Sequence, residues 1–263
     1  ERIDNYSFVT DGDATDWGDL VRDSYMMAGT ASMTHGYVMR GEHVPAGTLI
    51  DTIQKFSFAA NADATNVGDA TAAGTQGTGH SSGIDGYNCY TVGWPITANR
   101  VDKFPFATDT NATDVGDINM NQTSWGGISS STYGYYHTDS GTPNGALAGN
   151  INRFSFANEA TSADVGDMVV IADHCGGSMS KTHGYFSGGQ SSNQIQKFSF
   201  ATHGNATDVG NLFTGQTGHT PACSSSTTHS YNAGGWMGEQ NPSNQISKWA
   251  HATDGDASDV GNL

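Results

Sequence analysis

Apolar and polar residues alternate within IQKFSFAT (195–202): Phe198 and Phe200 fall on one side, Lys197 and Ser199 on the other. A period of two is that of a β-strand with one buried face. An Asp-, Asn- and Gly-rich cluster follows in each such segment, as in Asp11-Gly12-Asp13, His203-Gly204-Asn205 and Asp254-Gly255-Asp256. These residues tolerate positive φ and predict a tight hairpin turn. The return strand reads A-T-D-V-G-D-L, centred on Val67, Val115, Val165, Val209 or Val260, with Trp17 in the first copy. A second pair of strands is predicted around Thr34-His35-Gly36-Tyr37 and its counterparts Ile84-Asp85-Gly86-Tyr87, Thr132-Tyr133-Gly134-Tyr135, Thr182-His183-Gly184-Tyr185 and Thr228-His229-Ser230-Tyr231. No stretch carries a 3.6-residue period, so no helix is predicted.

The strand–turn–strand phrase occurs six times without a gap, at 3–20, 53–70, 101–118, 151–168, 195–212 and 246–263. A fixed period of this size marks a repeat architecture in which each unit buries its apolar face against its neighbours. Four short strands per repeat, arranged around a ring, describe the blades of an all-β propeller. A β-solenoid ranks behind it, because its coils are shorter and need no hairpin turn in every unit. The whole of 1–263 reads as one domain. Six shared hairpins flank only five variable halves, which gives five to six blade positions, with six and one incomplete as the favoured count.

Composition narrows the partners. The formal charge of −16 arises from 26 acidic against 10 basic residues, which disfavours nucleic acid and anionic membranes alike. No apolar run approaches the roughly 20 residues of a membrane span. Cys89, Cys175 and Cys223 share no repeat position and form no C-x-x-C pair, so small buried thiols are expected rather than a zinc site or disulfide framework. The chain opens on Glu1 without a signal-peptide pattern, as in a processed chain or part of a longer polypeptide.

Four sets of side chains are candidates for chemistry. Asp11, Asp13 and Asp16 form D-x-D-x-x-D, as do Asp254, Asp256 and Asp259; carboxylates so spaced suit calcium, or cap the turn by bonding backbone N–H groups. His35, His183 and His229 hold one register and would bind a metal if their strands lined the central channel. Lys55, Lys103, Arg153, Lys197 and Lys248 hold another, and cross-strand pairs with Asp16-type or Asp19-type residues are the simplest role for them. Glu42, Trp94, Gln190 and Trp236 follow the glycine that ends the second strand, with Thr142 in the third unit. A loop-tip Trp beside hydrogen-bonding side chains suits stacking on a sugar or a protein partner. No H-E-x-x-H is present and no Cys–His arrangement has local support, so no enzyme and no cofactor other than calcium is expected.

The order strand, Gly-Gly, loop, aromatic strand, Asx-Gly turn, T-D-x-G-D-L resembles kelch-type β-propeller repeats. It is similar in particular to divergent kelch-like repeats with N-A-T-D-(F/V)-G-D-L phrases in marine phage and environmental sequences. Two features depart from that pattern: the outer-strand Trp survives only as Trp17, and Gly-Gly is clean only at Gly188-Gly189 and Gly234-Gly235. The resemblance implies a structural or adhesive module, displayed on a virion as tail fibre, knob or capsid decoration, or secreted. Its expected partners are other virion or surface proteins, a host receptor or glycan, or further copies of the chain in a homo-oligomer. A lectin-like propeller is the alternative, and a copper oxidase-like enzyme a remote one, since the Tyr/Cys/His site of that kelch branch maps onto no matched positions.

Overall fold

The structure, a computed structural model, describes residues 2–92, 98–119, 126–138, 149–159, 162–189, 192–213, 222–235 and 242–263. Every regular element among them is a strand. An N-terminal hairpin pairs β1 (Arg2–Asn5) with β2 (Thr15–Asp19). Blade 1 comprises β3 (Ser24–Tyr25), β4 (Ala28–Ala31), β5 (His35–His43), β6 (Thr48–Ser57) and β7 (Thr65–Asp69). Blade 2 comprises β8 (Thr78–Ser81), β9 (Asp85–Val92), β10 (Ala98–Pro105) and β11 (Thr113–Gly116). Blade 3 holds β12 (Ile128–Ser129), β13 (Tyr133–His137), β14 (Asn150–Ser155) and β15 (Ala163–Asp167); blade 4 holds β16 (Gly176–Met179), β17 (His183–Ser187), β18 (Gln194–Ser199) and β19 (Thr207–Asn211). Blade 5 holds β20 (Ala222–Ser225), β21 (His229–Ala233), β22 (Gln245–Ala250) and β23 (Ser258–Asn262). Each blade is an antiparallel meander of four strands in sequence order, with β3 added beside β5 in the first. The five sheets are arranged as a five-bladed β-propeller.

The phrase packs as its pattern requires. Its first residue is buried in every copy, as Ile3, Ile53, Val101, Ile151, Ile195 and Ile246; each such side chain contributes about 1.5–3 kcal/mol. The second strand of each blade sends a Tyr onto the aromatic pair of the next. Tyr37 stacks on Phe106, Tyr87 on Phe156, Tyr135 on Phe200, Tyr185 on His251 and Tyr231 on Phe8, with centroids 4.9–5.4 Å apart. The last of these stacks joins blade 5 to the N-terminal hairpin.

One expectation fails locally. The shared turn is not a tight two-residue hairpin: in blade 4 it spans residues 200–206, between Ser199 and Thr207. The Ser199 hydroxyl accepts from the Ala201 and Thr202 N–H groups and starts the loop. The Asx-Gly segment then lies against the neighbouring blade. There the backbone N–H after the Asx residue donates to the end of the preceding return strand: Ala64 to Asp19, Ala112 to Asp69, Ser162 to Asp117, Ala206 to Asp167, Ala257 to Asn211 and Ala14 to Asn262, at 2.7–3.2 Å. These six contacts form a closed ring of six hairpins, of which five carry a complete sheet.

The interior does not close in the same way. The first strands touch in sequence, β4 on β8, β8 on β12, β12 on β16 and β16 on β20, whereas β20 and β4 make no comparable contact. Among the described residues, the position between blade 5 and blade 1 is therefore filled by the N-terminal hairpin alone.

Candidate functional site

The aspartates singled out for calcium each have a separate structural task. At the first position, Asp11 pairs with Lys248 at 2.6 Å and Asp254 with Lys197 at 2.8 Å, each across a blade boundary. At the second, Asp13 accepts from the Asn262 N–H and Asp256 from the Asn211 N–H of the preceding hairpin. At the third, Asp16 and Asp259 accept from Gly18 and Gly261 two residues on. The three carboxylates of a set thus point to three different partners. Among the described residues, no group of three His, Cys, Asp or Glu side chains is placed to hold a metal ion.

The lysine register is corrected by these contacts. Its partners are not the cross-strand Asp16- or Asp19-type residues but the turn residues of the next blade: Lys55 with Asp109, Lys103 with Glu159, Lys197 with Asp254 and Lys248 with Asp11. The reason is geometric, since the wide turn leans onto the adjacent blade and carries its acid there. Arg153 meets His203 at 2.7 Å in the same way, and burial with the adjacent Arg153 charge lowers the pKa of His203. The sixth boundary has Asn5 and Asn61 at the two positions.

His35, His183 and His229 open the second strand of their blades, directly after the turn from the first. Each Nδ1 lies 2.9 Å from the hydroxyl of the preceding Thr34, Thr182 or Thr228. The turn itself is made by a serine three residues earlier, a signal the sequence reading passed over. Ser32, Ser82, Ser130, Ser180 and Ser226 each accept from the N–H at the His35-type position and return their own N–H to its carbonyl. His229 does join Asp11, Asp256, Lys248 and Trp249 in a cleft of about 330 Å³ between blade 5 and the N-terminal hairpin. Lys248 already engages Asp11 there.

Of the loop candidates, Trp94, Gln190 and Trp236 lie outside the described residues. Glu42 belongs to an extension on blade 1, where the end of β5 pairs with β3 on one side and β6 on the other. Tyr25, opposite Glu42 in this register, is exposed. A hydrogen bond to Glu42 raises its phenol pKa. His43 Nδ1 lies 2.9 Å from the Asp23 carbonyl and ties the base of the extension.

Beneath this extension lies a buried polar cluster that no repeat pattern announces. The Arg40 guanidinium sits 3.5 Å from the centre of the Tyr90 ring and donates to the Ala72 and Gln76 carbonyls. Burial lowers its pKa to about 10 and raises that of Tyr90 to about 12. The Tyr90 hydroxyl donates to Asp102, which also accepts from the Thr71 N–H and hydroxyl. The cluster clamps the crossing from blade 1 to blade 2, and its groups are engaged with one another.

Cys89 and Cys175 are buried and Cys223 is partly so, and none is in a disulfide; burial pushes Cys223 up to about 12, far from a reactive thiolate. No protein-family model and no curated protein matches the chain, so its likeness to kelch-type repeats rests on the repeat phrase alone.

Proposed function

We propose that this chain is a non-enzymatic binding scaffold, in which a rigid propeller presents the loops between the second and third strands of its blades to a partner. One observation carries the reading: the side chains common to the repeats are engaged in joining blades, while the loop-end residues Glu42, Trp94, Thr142, Gln190 and Trp236 differ from blade to blade. A loop-end position that differs from blade to blade on a repeated frame suits a recognition surface. The all-β propeller fold is compatible with such a role, and function is argued from the site rather than from the fold. The partner is a host receptor or glycan, or a neighbouring subunit of a virion or extracellular assembly; the kelch-like resemblance supports the virion setting.

The test is a glycan array and a metal-content measurement on purified protein, with binding to isolated host surfaces alongside. Surface binding lost in Trp94→Ala, Trp236→Ala or Tyr25→Ala is the expected result. Sugar binding abolished by either Trp substitution, and reproduced by free monosaccharide, moves the assignment to a lectin. Stoichiometric tightly bound copper overturns the non-enzymatic reading.

A further inference from the structure

The boundary between blade 5 and blade 1 is built like the other five on its outside and lacks its inside. The walls of this sector carry unsatisfied versions of contacts made elsewhere. Phe56 is only half-buried, whereas its equivalents Phe104, Phe154, Phe198 and Trp249 are at most 4 % exposed. Each of those four receives a Tyr from the preceding blade, and Phe56 has none among the described residues. Gly29 tells the same story nearer the axis. A Cβ on Gly79, Gly127 or Gly177 would lie inside 3.0 Å of the preceding blade's inner strand, whereas on Gly29 it would approach only its own blade, at 4.0 Å.

Among the described residues β1 pairs only with β2, so its other edge faces this space. An unpaired edge is a template for another strand. We propose that the sixth sector is a docking site for a β-hairpin of the repeat's own inner-pair type, added to the edge of β1. The register of the five complete blades defines this occupant. Tyr37, Tyr87, Tyr135, Tyr185 and Tyr231 stand opposite the basic residue of their shared strand, and Tyr231, for example, pairs with Lys248. An incoming hairpin in that register sets its Tyr opposite Asn5 and stacks it on Phe56 and Phe58. It enters from the Leu263 side. In other blades the second residue of the shared strand takes the N–H of the first residue after the preceding phrase: Gln54 from Val21, Asp102 from Thr71 and Gln196 from Val169. Asp4 holds that position on β1. The occupant continues an interface already repeated five times around the ring, and this proposal stands apart from the loop-face function.

The experiment titrates the 1–263 protein with a synthetic peptide of residues 176–187, the inner pair of blade 4, by calorimetry and thermal melting. One-to-one binding with a raised Tm is expected. Replacing the peptide's Tyr185 by Ala is expected to weaken binding about tenfold, the scale of a lost ring stack. Gly29→Trp fills the sector without touching the rest of the fold, so it retains the wild-type circular dichroism and loses peptide binding. Fusing residues 169–187 after Leu263 is expected to raise the Tm and abolish titration by free peptide. No binding at millimolar peptide, equal binding by the Gly29→Trp protein, or self-association of the unfused chain through this edge each overturns the proposal.

Discussion

At the scale of single residues, the same amino acid carries different constraints according to which blade it faces. Gly79→Ala drives a methyl into the Gly29 carbonyl, and overpacking of that kind costs about 1–3 kcal/mol. Gly29→Ala meets open space and restricts the unfolded chain, so its urea midpoint should match or exceed wild type. A fall of similar size in both variants would refute the account of the open sector. Two buried histidines set a second expectation. His80 Nδ1 donates to the Ile128 carbonyl, which leaves Nε2 to accept from Thr78, so the ring is neutral. His137 packs its ring edge-on to Phe186 at 5.0 Å. Burial lowers both pKa values to about 4. Because the unfolded chain binds these protons near pH 6.5, stability is full above that value and falls as pH drops towards 4. Each histidine contributes a slope of up to about 1.4 kcal/mol per pH unit, measurable by urea unfolding from pH 7 to 4. His137→Leu should flatten that profile, and an unchanged slope would show that other groups govern it.

At the scale of elements, the repeated phrase is a hairpin and a latch at once, and only the hairpin is legible in the sequence. Alternation in I-Q-K-F-S-F and the buried first Ile reveal the strand directly, because period and burial are local properties. The Asx-rich turn was read as a tight turn because Asp, Gly and Asn favour one. It is wide because its polar groups face another blade, which no local pattern records. The same contacts between blades give the lysines acids on the next blade rather than across their own hairpin, and they separate the partners of the closely spaced aspartates. The Ser32-type serines were visible in register but carried no signal until their turn was seen. The Arg40–Tyr90–Asp102 cluster joins residues from three strands without a motif and had no sequence signature. Asp13→Ala removes the acceptor for Asn262 N–H and should cost about 1 kcal/mol, the net value of such a bond. Lys248→Ala removes a partly exposed ion pair on the same boundary, so its effect should stay below about 1 kcal/mol and shrink in 1 M salt. A larger loss for Lys248→Ala than for Asp13→Ala would reverse this ranking of the latch contacts.

At the scale of the molecule, six outer latches enclose five inner sheets, and the N-terminal hairpin is the piece that makes both statements true. It closes the ring by holding Asn262 through Ala14 and Asp13 on one side. On the other side it holds blade 1 through the Trp17 indole N–H to Ser57, Asp19 to Asp63 and Ala64 to Asp19. It also supplies Tyr6 and Phe8 to Tyr231, with Tyr6 bonded to Ser224 of the innermost strand of blade 5. Repeat proteins are stabilised mainly by nearest-neighbour interfaces, so removing residues 1–20 withdraws two of the six boundaries and leaves the other four intact. The truncated chain should therefore melt at a lower temperature. Its amide exchange should accelerate first in blades 1 and 5, while β13 and β14 of blade 3 keep most of their protection. Uniform acceleration through all five blades would mean instead that the closed ring unfolds as one cooperative unit, and that the hairpin governs the whole rather than its two neighbours.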